Sequence, residues 1–282
     1  MAHATALETQ PRRARVRRAR PRVRRTRASR LRRVLWWVLA APLLIRIVII
    51  TIVVLVLWSA VNWLYQVARK PTELFFPIDH ALTKTPPETW RQYAPIFRAH
   101  STIVITPELL AALAQVEGSG NPVARTYWRW QLSLNPLEIY RPASSAVGMY
   151  QITDPTFQEA RRYCVHSHVV VEEGPWHDLR SCWFNGLYTR VVPSHAVELT
   201  SALLDRTVAR TLERNRVGAA TLRQQQDLAA VIHLCGAGAG DLYARRGFRF
   251  APGQRCGDHD PARYLAQVNA LKRQFVRLAT TA

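Results

Sequence analysis

The longest apolar stretch in the chain runs from Val34 to Val67 and is interrupted by Pro42 and Arg46. As one helix it would be about 51 Å long, whereas the hydrocarbon layer of a bilayer is ~30 Å thick. A charge is costly at the bilayer centre but can reach the headgroups from a helix end, so Arg46 favours a transmembrane helix over residues 44–66. Aromatic side chains then lie near the opposite interface: Trp58, Trp63 and Tyr65.

Beyond residue 100 the hydrophobic pattern is mainly helical. The last apolar run has spacings of four, three and four residues, typical of one buried helical face: Tyr264, Val268, Leu271 and Phe275. Cap residues followed by apolar runs mark the predicted helices: 106–118, 153–164, 194–214, 221–235 and 260–278. Strand signals are short, at 101–105 and 169–171. We therefore expect an all-α or α-rich domain over residues 101–282, large enough for one core.

Five prolines fall within residues 67–100, between the apolar block and this domain. The stretch shows little periodicity, so we predict a partly extended linker. The predicted order along the chain is a tail over residues 1–33, a transmembrane helix, the linker and the α-rich domain.

The first 33 residues contain thirteen arginines and one acidic residue, so this tail carries more than half of the net charge of +20. It has no apolar periodicity, and we expect it to be disordered. The positive-inside rule keeps it in the cytoplasm, where it would meet anionic lipid, and places the C-terminal domain outside.

Two other interpretations of this end of the chain are weaker. A cleaved signal peptide would have a shorter charged lead and a shorter apolar block. A nucleic-acid partner is not expected, because the arginines precede a membrane span and no recognised nucleic-acid-binding module follows.

All four cysteines follow the apolar block, and an even number in an oxidising compartment predicts two disulfides. Of the three pairings, we favour Cys164 with Cys182 and Cys235 with Cys256, which close loops of modest length. The alternative is a metal site that combines Cys164 and Cys182 with nearby histidines. Its spacing is poor for zinc, so we expect neither a metal nor a cofactor.

One carboxylate stands at the end of an apolar helix. The predicted helix opens with Thr106 as the cap and Pro107 at the first position, and it ends near Gly118. On helical spacing Glu117 shares a stripe with Leu110 and Leu113. Partial desolvation favours the protonated form of a carboxyl group, which is the form that a general acid needs.

The stretch from Leu113 to Pro122 is similar to the Glu-Ser-x-x-Asn-Pro motif of the lytic transglycosylase SLT, or goose-lysozyme-like, family. Residues 146–153, Ala-Val-Gly-Met-Tyr-Gln-Ile-Thr, resemble its Gly-Leu-Met-Gln-Ile-Thr motif. Residues 230–236 and 264–268 resemble its third and fourth motifs more loosely, and all four occur in the family's order. The resemblance covers roughly residues 103 to 270 and implies an α-rich lysozyme-like (α+β) domain.

The resemblance implies Glu117 as the catalytic residue. It also implies a set of substrate-binding residues: Ser119, Asn121, Gly148, Met149, Tyr150, Gln151, Ile152, His233 and Tyr264. The chain departs from the family at Gly118, where the family has Ser, and at Ile232 and His233, where it has Tyr and Asn. Aromatic residues in the long loop 123–145 could stack on sugars or close the loop onto the core.

In this family the glutamate cleaves the β-1,4 bond between N-acetylmuramic acid and N-acetylglucosamine and gives a 1,6-anhydro product. The resemblance therefore implies a peptidoglycan lytic transglycosylase. It would be anchored in the bacterial inner membrane, with its C-terminal domain in the periplasm. The alternatives are a lysozyme-type hydrolase, which needs a second carboxylate, and a non-catalytic peptidoglycan-binding scaffold. Expected partners are glycan strands, the membrane and, as a further candidate, an envelope-spanning secretion or conjugation complex.

Overall fold

A computed structural model describes residues 36–178 and 181–281 of the chain. The arginine-rich tail predicted over residues 1–33 lies outside these ranges. The chain divides into two compact units, residues 1–59 and residues 60–282. Helix α1, Leu43–Arg69, is long and apolar enough to cross a membrane. Its last ten residues belong to the second unit.

The second unit is rich in helix, as the hydrophobic pattern predicts. Its further α-helices are α2 Pro86–Ala99, α3 Pro107–Gly118, α4 Asp154–Ala160, α5 Pro193–Arg214, α6 Leu222–Cys235, α7 Ala237–Arg245 and α8 Pro261–Thr281. Short 3-10 helices span Pro71–Leu82, Pro136–Glu138 and Trp183–Leu187. Helix α4 ends earlier than predicted, because the chain turns after Ala160 and enters a strand at Tyr163.

Two small antiparallel ladders contain the strands. Strand β1, Trp128–Trp130, pairs with β2, Tyr140–Pro142, and β3, Tyr163–His166, pairs with β4, Val169–Glu172. The short strand predicted at 169–171 is confirmed within β4. The strand predicted at 101–105 is wrong, because a turn closes there with the backbone N–H of Thr102 donating to the carbonyl of Ile105 at 3.0 Å.

Helix α3 lies at the centre of the hydrophobic core. Its run of six apolar residues from Leu109 to Ala114 is buried on every side, so the helix is more fully enclosed than a one-sided stripe would be. Helices α2 and α8 pack against it, and α6 packs between α5 and α7. A helix enclosed in this way holds its C-terminal residues in a fixed position.

The prediction of an extended linker over residues 67–100 is not what the structure contains. Helix α2 begins with a capping box in which the side chains of Thr85 and Glu88 satisfy the free N–H groups of the first turn. Trp90, Tyr93 and Phe97 of this helix are buried in the core. Prolines obscured the helix in the sequence, although Pro86 occupies a first-turn position where its missing N–H costs nothing.

The final turns of α1 are held by the loop between α3 and α4. The Nδ2 of Asn62 donates to the carbonyl of Tyr140 at 2.7 Å, and the Nε2 of Gln66 donates to the carbonyl of Leu137 at 2.7 Å. Both amide side chains are buried. These two polar residues, four positions apart on an otherwise apolar helix, therefore mark its protein-facing side.

Both favoured disulfide pairings are present. Cys164 bonds to Cys182 between β3 and the 3-10 helix that follows, and Cys235 bonds to Cys256 at the end of α6. The first bridge uses both thiols that the alternative metal site would need. No group of three or more metal-ligating side chains occurs among the described residues.

We predict that Phe97→Ala lowers the free energy of unfolding by about 3–5 kcal/mol, because truncating a buried aromatic side chain leaves a cavity in the core. Leu74→Ala is the matched control, since Leu74 is exposed and its truncation should cost little. Chemical denaturation of the full chain in detergent would measure both. Equal, small effects would show that α2 contributes nothing to the core.

Candidate active site

Glu117 lies in the last turn of α3 and its side chain is 17% exposed. The helix begins at Thr106, whose hydroxyl accepts from the N–H of Leu109 at 3.4 Å, and it ends where Ser119 adopts the left-handed conformation. The carboxylate is thus carried on a rigid element and reaches the surface only at its tip. This is the environment that the sequence pattern predicts for it.

The closest polar partner of Glu117 is a phenol from the far end of the chain. The Oη of Tyr264 on α8 donates to the Oε1 of Glu117 at 2.6 Å. Burial raises the pKa of Tyr264 well above its ordinary value, and the negative charge of Glu117 and this hydrogen bond raise it further. The phenol therefore keeps its proton and remains a donor at neutral pH.

His233 is the second neighbour of the carboxylate. Its Nε2 lies 3.8 Å from the Oε1 of Glu117, too far for a direct hydrogen bond but close enough for a charge contact or a bridging group. The imidazole edge packs against the ring of Tyr150, with 6.4 Å between ring centroids. Because His233 is two residues before Cys235, the disulfide to Cys256 restrains the helix end that carries it.

The predicted second motif forms a tight turn beside this pair. Gly148 has a φ of 79°, and a Cβ there would lie 2.4 Å from the carbonyl oxygen of Arg190, so only glycine fits. The N–H of Gly148 donates to Ala124 at 2.8 Å, and the N–H of Gln151 donates back to Gly148 at 3.0 Å. The turn thereby fixes the direction of the residues that follow it.

The predicted binding residues of this turn have different positions. The Nε2 of Gln151 donates to the carbonyls of Ala124 and Gly148, which orients its amide. Met149 and Tyr150 are fully buried, and the Oη of Tyr150 donates to the carbonyl of Leu110 at 3.2 Å. Their side chains support the site from below and offer no surface to a ligand in this structure.

The residues after Glu117 explain one departure from the family pattern. A Cβ at Gly118 would lie 2.8 Å from the Cα of Met149, so a serine would not fit without a shift of the turn. Ser119 is exposed at the helix end. Asn121 is buried, and its Oδ1 accepts from the N–H of Val123 at 3.0 Å, so in this structure it shapes the loop.

A cleft of about 300 Å³ opens next to these residues, between α4, α5 and the end of α6. Gln151, Ile152 and His233 line it, whereas Glu117 lies beside it and is connected to it through His233. Sequence reasoning missed the rest of its polar wall: Thr153, Thr156, Glu159, Thr200 and Thr207. The residues on α4 are spaced by three positions and those on α5 by seven, which places each set on one face of its helix. Polar residues with this spacing are too common in helices to identify a site from the sequence.

The aromatic residues of loop 123–145 lie elsewhere. Trp128 and Trp130 flank Tyr140 across the β1–β2 ladder, with ring centroids 5.2 and 4.6 Å apart. Neither they nor Tyr127 line the cleft beside His233. Of the two roles expected for these rings, stacking on sugar in this cleft is not supported.

Comparison with known proteins assigns no family to the chain. No protein-family model matches it, and no curated protein matches it.

We predict that stability falls steeply above about pH 10. Burial raises the pKa of Tyr150 and Tyr264 well above the ordinary value and raises that of Tyr243 to about 12. The folded state thus retains protons that the unfolded state loses, so this stabilisation is complete below about pH 10 and is lost as pH rises through the folded values. Denaturant unfolding from about pH 8 to about pH 11 would measure the slope.

Tyr264→Phe provides the comparison for this slope. The variant lacks one of the retained protons, so its stability should fall less steeply than that of the wild type over the same range. Identical slopes would show that the raised pKa of Tyr264 does not contribute to the pH dependence of stability.

Proposed function

We propose that this protein is a membrane-anchored peptidoglycan lytic transglycosylase in which Glu117 is both the acid and the base. The observation that carries the proposal is the 2.6 Å hydrogen bond from Tyr264 to the carboxylate of Glu117, whose other neighbour, His233, lines the cleft. One carboxyl group that exchanges a proton and is held by a neutral donor is suited to this chemistry.

In the proposed reaction, Glu117 in its protonated form gives its proton to the glycosidic oxygen between N-acetylmuramic acid and N-acetylglucosamine. The bond from the muramic C1 to that oxygen breaks, and the N-acetylglucosamine hydroxyl leaves. The carboxylate then removes the proton of the muramic 6-hydroxyl, whose oxygen bonds to C1. Glu117 ends protonated again, the product is a 1,6-anhydro sugar, and no water is consumed.

Tyr264 supports both halves of this cycle. Its phenol donates to Oε1 and stabilises the carboxylate that forms when Glu117 gives up its proton. Because Tyr264 is buried and keeps its own proton, it does not compete as an acid. The other carboxyl oxygen, Oε2, is left to exchange the proton with the sugar.

The cleft wall suits a carbohydrate. Hydroxyl groups of Thr153, Thr156 and Thr207 and the oriented amide of Gln151 can exchange hydrogen bonds with sugar hydroxyl and acetamido groups. A neutral imidazole at His233 can donate or accept in the place of the Asn of the family motif. We assign these residues to substrate binding and Met149 and Tyr150 to the support beneath.

Hydrolysis of the lysozyme type is the second candidate, and Glu159 is the observation that favours it. Ordinary glycosidases use a pair of carboxyl groups across the bond that they break. Neither contact of Glu117 described above is a carboxylate, but Glu159 lines the same cleft and could activate water. A non-catalytic scaffold is the third alternative.

The anchor and the disulfides support a location for this activity. A helix able to cross the membrane, the one such helix among residues 36–178 and 181–281, and two disulfides in the domain that follows fit a domain exported to an oxidising compartment. We place the domain in the periplasm, attached to the inner membrane, where glycan strands are within reach. An envelope-spanning secretion or conjugation complex remains a candidate partner of such an enzyme.

Glu117→Gln should abolish glycan cleavage while leaving the fold intact, because the amide fills the same space but cannot give a proton. Purified full-length protein would be incubated with isolated sacculi, and the soluble products analysed by mass spectrometry. The wild-type protein should release 1,6-anhydro products, which are lighter by one water than the products of hydrolysis. Glu213→Gln, at an exposed position on α5, is the matched control and should retain activity.

Glu159→Gln separates the two enzymatic candidates. For the transglycosylase, the variant should keep near-normal activity and give anhydro products. Loss of activity in the variant, combined with hydrolytic products from the wild type, would favour the lysozyme-type reaction. Undiminished cleavage by the Glu117 variant would refute its catalytic role. A wild-type protein that binds sacculi without cleaving them would establish the scaffold.

A further inference from the structure

The turn between β1 and β2 presents apolar side chains that are largely exposed to solvent. Leu132 and Leu134 are 104% and 106% exposed, and Trp130 is 68% exposed. We name residues 130–134 the apolar tip. No charged residue occurs from Trp130 to Leu137, so the apolar tip itself is free of the charges that usually keep such a loop in water. Fully exposed leucines on one loop mark a surface with an apolar partner.

The tip is attached to the part of α1 that leaves the proposed membrane span. Asn62 and Gln66 donate to the carbonyls of Tyr140 and Leu137, both within the turn or at its edge. Tyr140 is the ladder partner of Trp130. The tip therefore lies beside residues 62–66 of the helix, within one or two turns of Trp63 and Tyr65, whose rings are of the kind found at the membrane–water interface.

Basic side chains flank the tip on the side of the domain. A small cleft of about 200 Å³ is lined by Arg69, Lys70, Arg141 and Arg190, with Asp154 as the acidic residue in its wall. Arg190 pairs with Asp154 at 2.8 Å and Lys70 with Glu73 at 3.5 Å. Arg69 and Arg141 share the carboxylate of Glu138 at 2.8 and 3.8 Å, so these two exposed guanidinium groups supply the net positive charge. An apolar tip next to a net basic surface matches the layering of a bilayer, in which anionic headgroups lie above the acyl chains.

We propose that the apolar tip enters the outer leaflet of the same bilayer that α1 crosses and forms a second membrane attachment. The inference rests on the proposed membrane anchoring, because the position of Trp63 and Tyr65 defines the depth of the tip. Binding to a protein would not require the tip to lie at the same level in the membrane as the interfacial residues Trp63 and Tyr65. The occupant favoured by the position and the flanking charge is therefore lipid.

A second attachment changes what the anchor does. A single helix leaves the domain free to rotate about the helix axis, whereas a helix and an inserted loop fix its orientation relative to the membrane. The hydrogen bonds of Asn62 and Gln66 hold the hairpin against residues 62–66 of α1. The cleft would then face one constant direction, which suits an enzyme that acts on a layer parallel to the membrane.

The test uses the full chain reconstituted in liposomes of phosphatidylethanolamine and phosphatidylglycerol. A Leu132→Cys variant is labelled with an environment-sensitive fluorophore without reductant, because all four native cysteines are in disulfides. Leu222→Cys, at an exposed leucine at the start of α6, is the control. We expect blue-shifted emission at position 132 and at least a twofold quenching by shallow nitroxide lipids, with neither change at position 222.

Flotation of the same liposomes separates the possible failures. If the chain does not float with lipid, the anchor itself is refuted, and the tip attachment with it. If the chain floats but the fluorophore at position 132 stays as exposed to water as that at position 222, only the tip attachment is overturned, and a protein partner becomes the explanation of the exposed leucines. Circular dichroism of both labelled variants checks that the fold is retained.

Discussion

The enclosure of α3 is the constraint on which the site depends. A helix buried on every side cannot slide or rotate without disturbing the core, so the carboxylate in its last turn has one position. The close approach of Gly118 to Met149 ties the same helix end to the turn that carries Gln151. Helix α8 packs on α3, and this contact delivers Tyr264 to Glu117. The packing of α3 against α8 and the turn therefore also sets the position of the proposed acid and of its hydrogen-bond donor.

Covalent bridges support the side of the site that packing holds less tightly. His233 lies near the exposed end of α6, where a helix would ordinarily fray. The bond from Cys235 to Cys256 closes a loop of 21 residues there, for which chain entropy gives a stabilisation of roughly 3 kcal/mol. The stability of this helix end and the position of His233 thus both depend on an oxidising compartment, which agrees with the proposed export of the domain.

Polar residues at the end of an apolar helix connect the anchor to the domain. A buried amide group without partners is costly, and the amide nitrogens of Asn62 and Gln66 reduce that cost by donating to carbonyls of the hairpin. The same bonds position the hairpin and its exposed leucines. These two hydrogen bonds therefore fix the hairpin against the last turns of α1.

Local pattern by itself determined the helical class, the apolar helix α1, most helix starts and the position of Glu117 at a helix end, because caps and periodicity act over a few residues. It also favoured the two disulfides that form. Only the tertiary structure decided that residues 86–99 are a core helix, since their prolines hide a pattern whose apolar face is defined by α3 and α8. The pairing of Tyr264 with Glu117, 147 residues apart, and the enclosure of Met149 and Tyr150 likewise depend on how distant elements pack, which no local pattern encodes.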